Sequence, residues 1–343
     1  LQPQRILVIQ TAFLGDVILA TPLVRSLKKN YPAVKVDVLT IPSTSSVFQY
    51  NPHINQRLVF DKKQKLKKWV SFFQLINALR KNHYDAAVSI QSSLTSALLM
   101  RLAKIPCRVG FERQKFLTHP IEEVAGLHTR ERYLRLLRPF SNKNFDSQTE
   151  MFWSAAEESS VNKIVDPLRQ RAQFVIGIAP GSVWPTKRWL EPYFVSLIKN
   201  LNQESIAIVL LGGRDETQLC DRIKTLSGNT AVNLAGQLTI PQSAALISRL
   251  NLMLTNDSAP LHIANAVATD VIAFFGPTVP EFGFFPFREY DQVLEVNELY
   301  CRPCAKHGGR RCPQKHFRCM TEIRPEMAQK AILLQLEPQS SAK

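Results

Sequence analysis

Glycine is scarce in this chain, at 13 of 343 residues. The shortage tells most at the first strand-to-helix turn, "RILVIQTAFLGDVILATP" (Arg5 to Pro22), where Gly15 stands alone. A dinucleotide-binding G-x-G-x-x-G fingerprint needs further glycines there, so an NAD-dependent oxidoreductase is poorly supported. A Walker A loop is missing too: the turn "APGSVWPTKRW" has Thr186, not glycine, directly before Lys187. No apolar run approaches the roughly 18–20 residues that span a bilayer. The opening segment is not a signal peptide pattern, because Asp16 interrupts it and an amphipathic helix continues through Lys28-Lys29; a cytoplasmic protein is expected. Acidic residues are the other shortage. Against 43 Lys and Arg stand 28 Asp and Glu, a net charge of +15. That balance points to an acidic partner: nucleic acid, an anionic membrane surface or a phosphorylated substrate. Its densest runs are "DKKQKLKKW" (Lys62, Lys63, Lys65, Lys67, Lys68) and "HTRERYLRLLR" (Arg130, Arg132, Arg135, Arg138), each of which alone reads as a solvated helix face.

Cysteine is sparse except in one place. Cys107 and Cys220 stand alone, consistent with a reducing compartment. Cys301, Cys304, Cys312 and Cys319 crowd together, with His307 and His316 nearby. These residue types are zinc ligands, although the spacing is not that of a standard finger. Reduced packing cysteines and a redox-sensitive pair are the alternatives, and a structural role is expected in each case.

What is present is alternation. Strand patterns at Ile6–Gln10, Lys35–Thr40, Arg57–Phe60 and Ala86–Ile90 interleave with helix patterns at Val17–Asn30, Leu66–Lys81, Leu94–Ala103 and Leu127–Leu137. After two polar stretches the alternation restarts. Strands are predicted at Phe174–Ala179, Ile206–Leu211, Val232–Leu234, Leu252–Thr255 and Val271–Phe275. Helices are predicted at Pro192–Leu201, Glu216–Leu226, Ile240–Leu250 and Pro260–Val267. Such alternation implies α/β architecture with parallel sheets. Two Rossmann-like domains facing each other across a cleft are expected, 1–165 and 166–343, with the boundary in the polar stretch near 157–170. The tail "LEPQSSAK" is read as disordered.

In parallel α/β sheets ligands bind beyond the carboxyl ends of strands, so the strand-to-helix loops carry the chemistry. In the first, Asp16 opens a helix, either as an N-cap or as a general base for an acceptor hydroxyl. In the second, Gly181 permits close backbone approach, Ser182 and Thr186 offer hydroxyls, and Lys187 and Arg188 offer charge suited to a diphosphate. A surface Lys-Arg pair between two core tryptophans is the alternative. In the third, "LMLTNDSAPLHIANA", Asp257 and Ser258 precede Pro260 in the first helical turn. They are caps, or they border a helix N-terminus that binds an anion, with His262 on the first turn beside it. "LLGGRDE" places Gly213 beside a nucleotide and Asp215 toward a ribose, or as a cap. "FFGPT" makes a sharp turn at Gly276.

Together these loops resemble glycosyltransferase family 9, the ADP-heptose:lipopolysaccharide heptosyltransferases, with the nearest likeness to the heptosyltransferase II branch. The segments that carry the resemblance are "RILVIQTAFLGDVILATPLVRSLKKNYP", "APGSVWPTKRW", "LAGQLTIPQSAALISRLNLMLTNDSAPLHIANA", "FFGPT" and "CRPCAKHGGRRCPQKHFRCM". It covers nearly the whole chain and implies a GT-B fold, with an N-terminal acceptor-binding domain and a C-terminal ADP-sugar-binding domain. A C-terminal helix is then expected to return to the first domain. The resemblance implies inverting transfer of L-glycero-D-manno-heptose from ADP-heptose to Kdo-lipid A or heptosyl-Kdo-lipid A, with no cofactor for catalysis. Asp16 matches the family's proposed base; Lys187, with Ser182, matches the diphosphate loop; Asp257, Ser258 and His262 match the donor segment. Ala259 stands where many relatives have glycine, and the ribose partner, Asp215 or a neighbour, lies in a variable loop. The acceptor would sit on the inner face of the cytoplasmic membrane, so a peripheral enzyme guided by its basic runs is expected, with no nucleic-acid partner. Two other readings stand beside this one: another nucleotide-sugar-dependent GT-B transferase of cell-envelope glycan synthesis, and a basic nucleic-acid-binding protein with a cysteine-rich metal module. The last leaves the strand-end loops unexplained.

Overall fold

The computed structural model describes residues 3–61, 68–141, 143–202 and 204–337. Lys62, Lys63, Lys65 and Lys67 of the lysine-rich run, and the tail from 338 onward, lie outside the described residues. The chain divides into two compact units, Leu1–Phe152 and Trp153–Lys343.

In the first unit, strands β1 (Arg5–Ile9), β2 (Lys35–Thr40), β3 (Gln56–Val59), β4 (Ala86–Ser89), β5 (Cys107–Phe111) and β6 (His119–Ile121) alternate with helices α1 (Leu14–Leu19), α2 (Thr21–Asn30), α3 (Lys68–Lys81), α4 (Leu94–Leu102) and α5 (Thr129–Leu134). The second unit begins with α6 (Ala155–Arg171), followed by β7 (Phe174–Ala179), α7 (Glu191–Leu201), β8 (Ile206–Leu210), α8 (Thr217–Leu226) and β9 (Val232–Asn233). It continues with α9 (Ile240–Ile247), β10 (Leu252–Asn256), α10 (Ala259–Ala266), β11 (Val271–Phe275), β12 (Gln292–Glu295), α11 (Arg318–Thr321) and α12 (Pro325–Leu336).

Both sheets are parallel and six-stranded, in the orders β3-β2-β1-β4-β5-β6 and β12-β11-β10-β7-β8-β9. The second order is the first repeated, and both are Rossmann-like. This is the α/β domain pair of the GT-B class. The central strands are buried on both faces, which is why they read as apolar runs rather than alternations: Leu252, Met253 and Leu254 of β10 are all inaccessible. Register places Ile6 of β1 between Val36 and Ala86, and Leu252 beside Ile176 of β7.

The structure departs from the sequence reading at definable places. The expected helix Val17–Asn30 is two helices that meet at Ala20. Pro22 has no N–H to return to the preceding turn, and Thr21 Oγ1 donates to the Ile18 carbonyl instead, at 2.8 Å. The boundary expected between 165 and 166 falls inside α6, and the division comes earlier, after Phe152. The polar stretch taken for a linker is an amphipathic helix that buries Val161, Val165 and Leu168 and packs on α9. Its start signal, Ser154 and Glu157 in a capping box, is legible in the sequence. The C-terminal helix α12, expected to return to the first domain, belongs to the second unit. It packs on α7, with Ala328, Ala331, Ile332 and Leu336 in the second unit's core. Strands β5, β6 and β12 were not anticipated: β6 carries Pro120 at the sheet edge and is only three residues long.

Candidate active site

Strand order reverses at β1/β4 in the first sheet and at β7/β10 in the second. Crevices open at such switch points beyond the strands' carboxyl ends, and the singled-out residues fall at these two places. In the first unit, Thr11 after β1 hydrogen-bonds Gln91 after β4 at 3.1 Å. Phe13 caps α1 without a side-chain bond, so Asp16 is not its N-cap but its third residue. There the positive helix end still favours its charge. Tyr133 of α5 donates to Asp16 Oδ1 at 2.9 Å. Burial first, then the adjacent Asp16 charge, raise the Tyr133 phenol far above its ordinary range, so it remains a donor at any working pH. Phe13 and Leu94, at the ends of β1 and β4, are exposed by 61% and 63%, apolar surface on the face that carries Asp16.

The arginine run is not a solvated face. Arg130 and Arg132 keep only 14% and 15% of their side chains in solvent, and burial lowers the Arg130 pKa. Arg132 donates to Thr129 Oγ1 at 2.7 Å. Arg138 is the exposed member.

In the second unit Lys187 Nζ meets Asp257 Oδ2 at 2.5 Å, and Thr278 Oγ1 donates to the same oxygen at 2.7 Å. Asp257 is buried, so this pairing is what makes its charge tolerable. Its carboxylate is therefore not a helix cap. Ser258 stands at the N-cap of α10 and makes no side-chain capping bond either. The start of α10 thus has no side-chain cap, and its positive end lies in the loop that carries Asp257, the partner of Lys187, where an anion is favoured. Ser182 is buried, and its hydroxyl accepts from Trp184 N at 3.4 Å. The Thr186 hydroxyl, expected on the donor, is instead bonded to Gly309.

The chain is similar to known proteins in sequence and in fold. The glycosyltransferase family 9 (heptosyltransferase) model matches residues 72–315. The chain belongs to glycosyltransferase family 9. Lipopolysaccharide heptosyltransferase 3 of Escherichia coli is 33% identical over 78% of this chain and 82% of its own. A family 9 glycosyl transferase from Veillonella parvula superposes with a TM-score of 0.86 at 21% identity, covering 97% of each chain. E. coli ADP-heptose lps heptosyltransferase II superposes with a TM-score of 0.79 at 23% identity, covering 98% of this chain and 100% of that one. The likeness to heptosyltransferase II thus holds in fold, while in sequence a heptosyltransferase 3 stands at higher identity.

Two side chains of this glycosyltransferase, Asn256 and Glu216, escape a sequence reading. Asn256, fully buried at the end of β10, donates to the carbonyls of Pro180 and Gly181 at 2.9 and 3.1 Å and accepts from Trp189 N at 2.9 Å. It ties together the two loops of the switch point. Asp215 is exposed, and its neighbour Glu216 is the acid that turns inward. Glu216 accepts from Gly213 N at 2.8 Å, and a Cβ on Gly181 would come within 1.8 Å of its carboxylate. Gly276 is required for a different reason: a Cβ there would strike the Met320 side chain. The four cysteines lie close enough to influence one another's charge, yet they do not form a ligand set. Among the described residues no group of three or more His, Cys, Asp or Glu is placed to hold a metal. Cys319 is drawn into the apolar core, Cys304 Sγ turns to the Pro277 carbonyl at 4.0 Å, and Cys301 lies 3.8 Å from His316 Nε2. The zinc site, one of the alternatives the sequence left open, is therefore not formed among the described residues.

His262 is buried, 4% exposed, and its Nδ1 has no hydrogen-bond partner. Burial, then the Lys187 charge, hold its imidazole at about 3 instead of 6.5. It is neutral throughout the physiological range. The unfolded chain binds a proton here below about pH 6.5 and the folded chain does not until about 3, so stability falls as pH drops through that window. The expected slope from this residue is about 1 kcal/mol per pH unit. Urea midpoints of the His262→Gln variant between pH 4 and 7 should fall less steeply than the parent's; an equal slope contradicts the assignment.

Proposed function

We propose that this chain transfers L-glycero-D-manno-heptose from ADP-heptose to the heptose/Kdo inner core of lipopolysaccharide, with inversion at the anomeric carbon. The observation that carries the donor half is the α10 N-terminus, left uncapped by side chains next to the Lys187–Asp257 pair. An ammonium has three N–H donors. Asp257 accepts one and orients the group, and others are directed to the diphosphate. Ser258 and His262 flank that position, and Glu216, rather than Asp215, is assigned to the ribose hydroxyls. Asp16 is assigned as the general base of the first unit. An acceptor hydroxyl oxygen forms the new bond to the anomeric carbon opposite the diphosphate. Its proton passes to the Asp16 carboxylate, and the C–O bond to ADP breaks with its electron pair leaving on the diphosphate. Lys187 and the positive end of α10 stabilise that charge. No cofactor enters this scheme.

The acceptor is anionic and lipid-linked, and the chain's +15 charge suits a peripheral protein on the cytoplasmic side of such a membrane. No helix among the described residues is long and apolar enough to cross a membrane. With Arg130 and Arg132 half-buried, surface contact is assigned to exposed cations such as Arg138. Binding to anionic vesicles that is indifferent to salt would remove this assignment.

The test of function is mass spectrometry of Kdo-lipid A acceptors carrying no, one or two heptoses, after incubation with the protein and ADP-heptose. A gain of one heptose on one of the three identifies the acceptor. Folded protein that modifies none of them overturns the proposed donor–acceptor pair.

A further inference from the structure

The cysteine-rich segment has no part in the chemistry above, yet it touches both loops that build the Lys187–Asp257–Thr278 cluster. At its start, the buried guanidinium of Arg302 donates to the Thr278 carbonyl at 3.0 Å and to Glu295 Oε2 at 2.7 Å. Cys304 N donates to the Pro277 carbonyl at 3.2 Å. These bonds brace the turn whose Thr278 hydroxyl holds Asp257. Further along, Gly309 grips the other loop. Its N–H donates to Thr186 Oγ1 at 2.7 Å, and its carbonyl accepts from Thr186 N at 3.1 Å and from Thr186 Oγ1 at 3.0 Å. Gly308, at φ +85°, lies flat on the same loop: a Cβ there would stand 3.1 Å from Lys187 Cγ and from Trp184 Cβ. A side chain would strain that backbone and press on the lysine stem.

We propose that residues 302–309 act as a strap that holds Lys187 against Asp257, with Thr186 as the positioning residue through which the strap acts on the donor site. The proposal rests on the reading of that cluster as the diphosphate site. It explains why Thr186, next to the key lysine, is buried and turned away from the donor. It also gives the segment a purpose that needs no metal. Without the strap, Lys187 has the same charge but samples more positions, so donor affinity falls while the acceptor side of the reaction is untouched.

The experiment compares Thr186→Val, Thr186→Ser and Gly308→Ala with the parent chain. It reads ADP affinity by calorimetry, the Michaelis constants for donor and acceptor, and Tm. Thr186→Val is expected to weaken ADP about tenfold, having lost two hydroxyl bonds. Thr186→Ser should stay within about twofold. Gly308→Ala, which deletes no hydrogen bond, should weaken ADP in the same direction as Thr186→Val. Acceptor KM should not move in any of them. Unchanged ADP affinity in both Thr186→Val and Gly308→Ala overturns the proposal. So does a loss in donor and acceptor terms together that follows Tm, or a serine variant as weak as valine. Lys187→Met is the separate check on the underlying reading. If it binds ADP like the parent, the diphosphate site is misplaced; if it fails while Thr186→Val and Gly308→Ala are normal, the strap alone is refuted.

Discussion

Asp16→Asn is expected to lower kcat for transfer by about 10³-fold, within the usual contribution of a positioned general base, and to leave ADP affinity unchanged. Asparagine keeps the shape and can still accept from Tyr133, but it cannot take the acceptor's proton. ADP affinity should hold because every group assigned to the diphosphate lies in the second unit. Steady-state rates at saturating donor, with calorimetric titration of ADP, separate the two quantities. A variant at full rate removes Asp16 as the base; one that also loses ADP affinity makes it a donor ligand. Tyr133→Phe refines the same point. The phenol's hydrogen bond fixes the orientation of the carboxylate, so its removal should lower kcat about threefold to tenfold with ADP affinity unchanged. An unchanged kcat would mean that Tyr133 is a packing residue.

Lys187→Met should cost about 10²-fold in ADP affinity, the loss of a charge-assisted contact to a diphosphate. It should also cost stability, because Asp257 is 6% exposed and would lose its cation. Breaking such a pair from one side is typically worth about 3 kcal/mol. The double variant Lys187→Met/Asp257→Asn distinguishes the two effects. Neutralising Asp257 should restore most of the stability, read as the urea midpoint, without restoring ADP binding. Recovery of both would reduce Lys187 to a structural counter-ion, and recovery of neither would point to damage in the fold around Asn256.

The amino-acid sequence by itself determined the architecture of this protein and the loops where its chemistry sits. Runs such as Leu252–Asn256 carry β-structure and double-sided burial in consecutive residues, and the segments with Asp16, Lys187 and Asp257 directly follow the strands β1, β7 and β10. Those signals are local, so one chain suffices to read them. The departures also have local causes that were present but outweighed: Pro22 breaks a helix, and the Ser154–Glu157 box opens one inside a stretch polar enough to pass for a linker. Which side chains meet was decided by tertiary structure. Tyr133 reaches Asp16 across 117 positions, Thr186 reaches Gly309 across 123, and Lys187 reaches Asp257 across 70. A hydroxyl or a carboxylate looks the same in sequence whether it faces a ligand or a distant backbone. That is why the Thr186 hydroxyl, read as a donor ligand, proves to be bonded to Gly309, Glu216 rather than Asp215 turns inward, and four closely spaced cysteines suggest a metal site although no metal-holding group forms among the described residues. Periodicity is a property of neighbours in the chain. The partner of a polar group is a property of neighbours in space, and only the packed sheets bring those together.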